Sequence, residues 1–434
     1  MVKQHSVYLD KDRCTGCTDC IKRCPTEAIR VRNKKAVIID ERCIDCGMCI
    51  KVCKNMAKKA KADDVSIINQ YKVKIAIPAP SLYTQFKGIH NVNKILMALK
   101  DIGFDEVIEV AKGAELVTEK TKEYIKNNSR KQPIISSACP AVVKVVQSRF
   151  PTLIPNILPL LSPKEITGRM TRTHFLDKGY KDEDIGVFFI SPCAAKITNS
   201  RYPTLIEKSE VDGVISIKDI YKSMVKAIKK NDHHYEHLRL SSNRGMFWAA
   251  PGGEVSASKT INYVAVDGIE NVIRILEMIE DNELNNVEYV ECLACTGGCL
   301  GGPLTVENPF VSRCRMDKLS RYHKNHPETR DIHFVLESLD YAWEKPLKPK
   351  EVLRLDEDIS EAIKKMEELE RIYQELPKIN CGSCGSPTCK ALAEDIVLKN
   401  ANIEDCIFML RKEVGQLAER MVELAEKLPR SIKE

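Results

Sequence analysis

The chain has 434 residues, and its 67 basic side chains exceed its 61 acidic ones by six. This length accommodates two or three domains with substantial cores. A positive surplus can indicate an anionic partner, but the chain also has 18 cysteines, and metal clusters bound to their thiolates would bring negative charge. The charge therefore gives no reason to expect nucleic-acid or membrane binding, and we predict neither.

The 18 cysteines are the most unusual feature of the composition. The first ten residues are polar and charged, which is unlike a secretion signal, and no apolar run is long enough to span a membrane. We expect a cytoplasmic protein whose cysteines bind metal clusters, and these observations argue against a disulfide framework. Because such clusters are sensitive to oxygen, we also expect an anaerobic cell.

The N-terminal region, residues 1–70, contains one cysteine spacing twice. Cys-x2-Cys-x2-Cys-x3-Cys begins at Cys14 and again at Cys43. Bacterial two-cluster ferredoxins have this duplicated pattern, and the fourth cysteine of each run binds the other cluster. We predict a small α+β ferredoxin domain with two 4Fe-4S clusters, since two zinc sites, the alternative, rarely share this register. The ligand sets would be Cys14, Cys17, Cys20 and Cys53 for one cluster, and Cys43, Cys46, Cys49 and Cys24 for the other.

Strands and helices alternate through the middle of the chain, as in an α/β fold. Residues 31–39 are predicted to form a hairpin, and residues 56–71 a connecting helix or linker. A further helix is predicted to begin at Ser162 and Pro163, because proline favours the first helical turn. The predicted strands are 72–77, 106–110, 133–136, 186–190, 213–215 and 286–290, and the other helices are 92–102 and 114–127.

Cysteines follow three of the predicted strands. A glycine-rich stretch holds Cys295 and Cys299, but a pair with this spacing is also typical of a structural or zinc-binding turn. Two other segments add Cys139 and Cys193. Four thiolates brought together at strand ends would hold a 4Fe-4S cluster.

These three segments resemble the three H-cluster motifs of the FeFe hydrogenases. The resemblance extends over about residues 72–345, and it includes the run Ala79, Pro80 and Ser81 as well as residues 113–116. It implies an α/β H-cluster domain of the FeFe-hydrogenase type over residues 71–348. In that family four cysteines hold a 4Fe-4S cubane, and one of them bridges to a dinuclear iron unit carrying carbon monoxide, cyanide and an azadithiolate. The matching ligands are Cys139, Cys193, Cys295 and Cys299, with Cys299 as the bridge.

The resemblance also assigns residues around the dinuclear iron. Cyanide ligands are buried anionic acceptors that need a cation and short donors, and Lys196 and Ser81 match the family positions that supply them. A lysine in such a loop would otherwise be solvated. The predicted cofactor-binding residues are Ala79, Pro80, Ser81, Pro192, Lys196 and Leu293.

Several positions depart from the family pattern. Ala138 occupies the place of the cysteine that passes protons to the azadithiolate, and Ser191 and Leu293 replace two methionines near the dinuclear iron. A methyl group cannot carry a proton, so turnover should be slow. The other positions of the family's proton relay align with Thr121, Tyr124 and Leu158.

A retained ligand set with a dismantled relay resembles the sensory FeFe hydrogenases that lack a fused PAS domain. Glu254, which follows two glycines, is a candidate substitute proton acceptor, and a structural carboxylate is the alternative. The candidate catalytic residues are Cys299, Lys196, Ser81, Ala138, Ser191 and Glu254.

The C-terminal region, residues 349–434, is predicted to be a helical iron-sulfur domain. Its four cysteines resemble those of the small iron-sulfur domain of some electron-transfer and corrinoid proteins, with zinc as the alternative. These ligands to a fourth 4Fe-4S cluster are Cys381, Cys384, Cys389 and Cys406. An amphipathic helix that packs on the main body or a partner is predicted from Ile359, Ile363, Met366, Leu369 and Ile372.

The last helix has an apolar heptad seam, which predicts a homodimer or packing on the same chain. The seam consists of Leu410, Val414, Leu417, Met421, Leu424 and Leu428.

Three functions are consistent with these patterns. The first is a slow, sensory hydrogenase that takes dihydrogen and protons as substrates, needs maturation proteins, and passes electrons to a redox or signalling partner. The second is a turnover hydrogenase linked to ferredoxin or NADH. The third is a hydrogenase-like electron-transfer or assembly protein without enzyme activity.

Overall fold

The computed structural model describes residues 5–128, 133–230, 236–337, 339–352 and 354–427. They form two compact units. The first contains the chain up to residue 8, residues 44–51 and residues 59–350. The second contains residues 9–43, 52–58 and the chain from residue 351 onward. The division into the three domains 1–70, 71–348 and 349–434 stays a prediction.

The strands are short and lie mainly in the first unit. They are β1 (Val7–Leu9), β2 (Ile29–Arg32), β3 (Lys35–Ile38), β4 (Lys58–Ala60), β5 (Val73–Pro78), β6 (Glu106–Val107), β7 (Ile134–Ile135), β8 (Ile185–Ser191), β9 (Gly213–Ser216), β10 (Tyr263–Asp267) and β11 (Tyr289–Leu293).

The helices range from short turns to long amphipathic rods. They are α1 (Asp19–Lys22), α2 (Met48–Val52), α3 (Val92–Asp101), α4 (Val110–Asn127), α5 (Pro140–Arg149), α6 (Pro163–Asp177), α7 (Ala194–Arg201), α8 (Ile217–Lys230), α9 (Asn243–Phe247), α10 (Gly253–Ser258), α11 (Ile269–Glu280), α12 (Pro309–Asn325), α13 (Ile359–Glu375), α14 (Cys389–Val397) and α15 (Ile407–Glu426). Within the described residues, no helix combines the length and the apolar character needed to cross a bilayer.

Two parallel sheets organise the first unit. One has the strand order β6-β5-β8-β9, with Ala76 opposite Phe188 and Ile190 opposite Ile215. The other has the order β10-β11-β7. All seven residues of β8 are buried, as expected for a parallel strand covered on both faces. The parallel arrangement brings the carboxyl ends of β5 and β8 to one edge, and those of β7 and β11 to one edge of the second sheet.

The structure confirms most of the predicted elements of this unit. Strands β5, β8 and β9 and helix α3 lie within one residue of their predicted bounds. Helix α6 begins as predicted, with Ser162 as its N-cap and Pro163 as its first residue.

Several predicted boundaries were wrong, including the start of the helix predicted over 114–127, which lies four residues earlier, at Val110. The strand predicted over 106–110 has two residues, because Glu109 is buried and its carboxylate accepts the backbone N–H of Leu240 and Ser241, so that α4 begins at Val110. The strand predicted over 286–290 lies at β11, three residues later. Residues 56–71, predicted to be a connecting helix or linker, contain β4 and a 3-10 helix over Val65–Gln70, which agrees with a linker and not with an α-helix.

In the second unit, the predicted hairpin is confirmed as the antiparallel pair β2-β3. Asn33 and Lys34 form its turn with positive φ, as in the two-residue turns that match strand twist. The backbone N–H of Val31 donates to the carbonyl of Gly385 at 2.7 Å. The hairpin is thereby joined to the loop that carries Cys384.

The C-terminal helices of this unit differ in how they pack. On α13, Leu369 and Ile372 are buried, whereas Ile359, Ile363 and Met366 are more than half exposed, so the predicted apolar face packs only in its second half. Helix α15 has no buried residue among those described. The exposed seam includes Leu410, Val414, Leu417, Met421 and Leu424, and the predicted Leu428 lies outside the described residues.

Candidate functional site

A cavity with about 80 Å³ of free space lies in the first unit, beside the ends of strands β5, β7, β8 and β11. All four cysteines of the predicted H-cluster line it: Cys139, Cys193, Cys295 and Cys299. Three separate chain segments supply them, and parallel strands bring these segments together because their carboxyl ends meet at sheet edges. The structure therefore brings the predicted ligand set into one place.

Two of the cysteines begin helices. Cys139 is the N-cap of α5, with Pro140 as the first helical residue. Cys193 is the N-cap of α7. The unpaired N–H groups and the positive dipole end of a helix favour an anion there. A thiolate-bound iron-sulfur cluster carries net negative charge, so both positions suit such a ligand.

The other two cysteines lie in a loop that requires glycine. Gly297 and Gly298 have φ values of 80° and 63°, in the left-handed region. A Cβ at Gly301 would lie 2.0 Å from the carbonyl oxygen of Thr296, and one at Gly302 would lie 2.3 Å from that of Pro192. Only glycine permits this approach, which presses the Cys299 turn against the segment that carries Cys193.

The thiols of the cavity are strongly desolvated. Burial raises the pKa of Cys193 to about 11 and that of Cys299 to about 12, although the nearby Lys196 opposes the rise at Cys299. Burial also holds the pKa of Cys295 well above its ordinary value. These groups are neutral thiols at pH 7 until iron displaces their protons, so metal binding and deprotonation are coupled.

Lys196 and Ser81 were predicted to hold cyanide. Lys196 lines the cavity, and its Nζ donates to the carbonyl of Ala138 at 3.0 Å. Ser81 is fully buried, and within the described residues its Oγ has no hydrogen-bond partner. A buried hydroxyl without a partner is costly, and a bound acceptor would relieve that cost. The cysteines and the lysine fit the H-cluster as a group. Ser81 does not itself line the cavity, but it directly follows Pro80, which does.

The remaining predicted residues divide between the cavity wall and its support. Ser191 does not line the cavity; its Oγ accepts the N–H of Cys193 at 3.1 Å and donates to that residue's carbonyl at 3.2 Å. It therefore shapes the turn that presents Cys193. The apolar wall includes Ala79, Pro80, Ala138, Pro192 and Leu293.

Glu254 lies in the cavity wall and is 3% exposed. Its carboxylate accepts hydrogen bonds from the Oγ of Ser136 at 2.8 Å and from the hydroxyl of Tyr289 at 2.5 Å. Burial raises its pKa to about 7, although these two donors oppose the rise. A carboxyl group with that pKa exchanges protons readily near neutral pH.

Sequence reasoning missed two buried charged groups near the cavity. Glu291 accepts the backbone N–H of Gly252 at 2.9 Å and of Val255 at 3.0 Å, and burial raises its pKa to about 8. Lys164 lines the cavity, is 1% exposed and pairs with Glu165 at 2.5 Å. The only signal for Lys164 was its place after Pro163, in a first helical turn, where charged side chains are usually solvated.

The structure gives different degrees of support to the two predicted ferredoxin-type clusters and the predicted C-terminal cluster. In the second unit, the pKa of Cys20 is raised to about 11, first by burial and also by the nearby thiols of Cys17 and Cys14. Cys389 and Cys406 are buried in the core between α13 and α14, with Cys384 packed against it. Cys24 and Cys43 belong to the second unit but Cys46 and Cys49 to the first, so that cluster stays a prediction from spacing.

Comparison with known proteins agrees with this geometry. The family model "Iron only hydrogenase large subunit, C-terminal domain" matches residues 72–259 and 225–303. A 4Fe-4S dicluster domain model matches residues 6–54, and a model for a predicted Fe-S cluster matches residues 376–408.

Curated relatives include both enzymes and assembly factors. Iron hydrogenase 1 of Clostridium pasteurianum is 24% identical over 69% of this chain, which spans 65% of that relative's length. The cytosolic Fe-S cluster assembly factor NAR1 of Candida dubliniensis is 29% identical. The match covers 37% of the present chain and 27% of the length of NAR1.

Among solved structures, a variant of FeFe-hydrogenase HydA1 from Chlamydomonas reinhardtii is 15% identical, with a TM-score of 0.47 over 62% of this chain and 87% of that one. The family model alone covers more than half of the 434 residues. The chain belongs to the family of the iron-only hydrogenase large subunit, C-terminal domain.

Proposed function

We propose that this protein is a slow FeFe hydrogenase with a sensory role. It interconverts dihydrogen with two protons and two electrons at an H-cluster, and its other 4Fe-4S clusters exchange the electrons with a redox or signalling partner. The observation that carries the proposal is that four cysteines and Lys196 line one cavity. Ser81 directly follows Pro80 of the cavity wall, and its buried hydroxyl has no hydrogen-bond partner among the described residues.

The chain's own residues would hold the cofactor in distinct ways. Cys139, Cys193, Cys295 and Cys299 would bind the cubane, and Cys299 would also bridge to the dinuclear iron unit. Lys196 would supply a positive charge to cyanide, and Ser81 its free hydroxyl. When bound, the H-cluster supplies the open iron site and the nearby base at which dihydrogen is split.

Proton movement distinguishes this chain from fast members of the family. The methyl group of Ala138 stands directly before Cys139 and can neither give nor accept a proton. Glu254 is the group in the cavity wall that holds a proton near pH 7, with Ser136 and Tyr289 fixing its carboxylate. A positioned proton donor is worth roughly 100- to 10,000-fold in rate, so losing the usual one favours slow turnover.

A non-enzymatic function is the second candidate, because an assembly factor is among the relatives. The unpaired hydroxyl of Ser81 argues against it. A cubane bound by cysteines leaves that hydroxyl without an acceptor, whereas a cyanide-bearing iron provides one.

The experiment is to measure dihydrogen uptake and evolution by the anaerobically matured chain, beside an Ala138→Cys variant. We expect slow turnover in both directions, and less than about a tenfold rise in the variant, because the rest of the relay is also absent. Fast turnover of the unmodified chain would contradict the sensory role and favour an enzyme linked to ferredoxin or NADH. Complete absence of turnover would favour the non-enzymatic candidate.

A further inference from the structure

The first turn of α6 carries two buried charges that the proposed function does not use. Lys164 and Glu165 are 1% and 3% exposed, and the Nζ of Lys164 lies 2.5 Å from the Oε1 of Glu165. Burying an ion pair removes two charges from water, and this desolvation often offsets the attraction between them. The pair is therefore a poor device for stability alone.

Two serines extend this pair into a network. The Nζ of Lys164 donates to the Oγ of Ser200 at 2.6 Å and to the Oγ of Ser209 at 3.2 Å. The hydroxyl of Ser209 also bonds the carboxylate of Glu165 at 3.0 Å. Each of these groups can pass on a proton, and they are linked without a gap.

The network spans the wall between the candidate H-cluster cavity and the protein surface. Lys164 lines the cavity, while Ser209 lines a separate, open basin of about 620 Å³. The basin is polar, and Glu207 and Lys208 on its rim are exposed to solvent. By contrast, Glu254 bonds Ser136 and Tyr289, which are themselves buried.

Local packing holds the network in place. A Cβ at Gly168, one turn along α6, would lie 2.8 Å from the Cβ of Glu210, so glycine lets the segment with Ser209 approach the helix closely. The backbone N–H of Glu210 also donates to the carboxylate of Glu165 at 2.9 Å. The close approach of the two segments and the backbone donor of Glu210 thus help to position Glu165 and Ser209.

We propose that Lys164 and Ser209, both bonded to Glu165, carry protons between the candidate H-cluster cavity and this surface basin. For proton delivery, the ammonium of Lys164 releases a proton toward the cavity. The Ser209 hydroxyl, which donates to Glu165, turns and gives its proton to the lysine amine while it takes a proton from a hydronium ion in the basin, which leaves water there. One proton thus enters for each one delivered. The carboxylate of Glu165 stabilises the charged lysine, and dihydrogen oxidation runs the steps in reverse.

This inference rests on the proposed function, and its test uses the matured full-length chain. Lys164→Arg keeps the positive charge and the donors but cannot release a proton, because a guanidinium stays charged. Lys164→Met removes both the positive charge and the hydrogen-bond donors. Arg330→Met is the matched control, since it breaks a partly buried ion pair with Glu106 elsewhere in the first unit.

For each variant, iron content and the infrared bands of carbon monoxide and cyanide are recorded together with turnover. We expect bands and iron content like those of the unmodified chain in every variant. Turnover should fall at least about tenfold in both Lys164 variants and stay unchanged in the control. Ser209→Ala, which removes the middle link and leaves Lys164 in place, should also slow turnover.

The outcomes separate this inference from the proposed function. Turnover of Lys164→Arg equal to that of the unmodified chain would show a purely electrostatic or structural lysine and overturn the inference. If Lys164→Met lost its bands, Ser209→Ala would decide, and unchanged turnover there would likewise overturn it. Bands missing from the unmodified chain would remove the proposed function, and the inference would fall with it.

Discussion

Single buried polar groups determine what the cavity can do. Glu254 and Ser81 are both buried. Glu254 lies in the cavity wall with two hydrogen-bond donors, and Ser81 follows Pro80 of that wall and has a hydroxyl without a partner among the described residues. A buried polar group without a functional reason is usually replaced by an apolar one, because its desolvation is costly. Their presence is what separates this cavity from a simple four-cysteine cluster site.

Replacing Glu254 by Gln should slow turnover at pH 7 by about tenfold to 100-fold, because an amide cannot exchange a proton as a carboxyl group does. The substitution keeps the shape of the side chain, so iron content should not change. The measurement is turnover of the matured variant from pH 6 to pH 9. An unchanged rate would mean that Glu254 is a structural carboxylate.

The same substitution should change how stability depends on pH. The folded-state pKa of Glu254, about 7, is raised above the ordinary value of 4.5, so its stabilising contribution is complete below pH 4.5 and is lost as pH rises through 7. Denaturation midpoints measured anaerobically at pH 6 and pH 9 should fall less in Glu254→Gln than in the unmodified chain. An equal fall in both proteins would contradict the raised pKa.

The sequence was sufficient to predict which cysteines line the cavity, but it did not predict all of the buried charged residues near the cavity. Cysteine spacing and the resemblance to known motifs predicted all four thiols that line the cavity. Glu291 and Lys164 were missed, because a charged residue in one sequence gives no sign of burial unless a partner is known. The donors to Glu291 are backbone groups, and Lys164 bonds two serines distant in the chain besides the adjacent Glu165.

At the scale of elements, strand ends and glycine turns position the cysteines. The alternating pattern predicted the strands of an α/β fold, yet it could not give their order in two sheets, which depends on long-range pairing. The length of β6 was overestimated because the carboxylate of Glu109 accepts hydrogen bonds from backbone donors more than 100 residues away. Local sequence carries no information on such contacts.

Replacing Gly302 by Ala should damage the site through the backbone. The added Cβ would lie 2.3 Å from the carbonyl oxygen of Pro192 and force the Cys299 turn away from Cys193. We expect a loss of about 1–3 kcal/mol of unfolding free energy and a lower iron content at the cavity. Denaturation and iron analysis of the matured protein test this expectation.

Gly415→Ala is the matched control, because nothing lies within 4 Å of a Cβ at that exposed helical position. It should leave iron content unchanged. Normal iron content in Gly302→Ala would show that the turn tolerates displacement and that the close approach is not required.

For the whole molecule, the net charge depends on how many clusters the cysteines bind. The amino acids alone give a net charge of +6. Four oxidised 4Fe-4S clusters with their thiolates would each contribute about −2, which makes the loaded protein slightly acidic. Isoelectric focusing under anaerobic conditions should therefore give the loaded protein a lower isoelectric point than the same protein after removal of its iron. Equal isoelectric points would contradict the cluster count.

The second unit contributes its own buried charge network. The carboxylate of Asp395 accepts hydrogen bonds from Arg30 at 2.6 Å, Arg32 at 2.7 Å and Ser386 at 2.6 Å, which ties the β2-β3 hairpin to α14. Asp395→Asn should cost about 3–5 kcal/mol, because it leaves buried guanidinium charge uncompensated. Chemical denaturation measures this cost.

The control for that variant is Lys364→Met, which breaks an exposed pair with Glu361 and should cost less than about 1 kcal/mol. Equal costs in the two variants would contradict the importance of the buried network. The exposed seam of α15 and the homodimer predicted from it stay predictions, to be tested by the mass of the protein in solution.

The central claim is that the cavity holds an H-cluster that responds to dihydrogen. Infrared spectroscopy of the anaerobically matured protein, titrated with dihydrogen, tests it most directly. We expect bands of carbon monoxide and cyanide that shift when dihydrogen is added, and cyanide bands displaced in Ser81→Ala. A fully matured protein with iron bound but without those bands would contradict the claim and leave an iron-sulfur protein of another function.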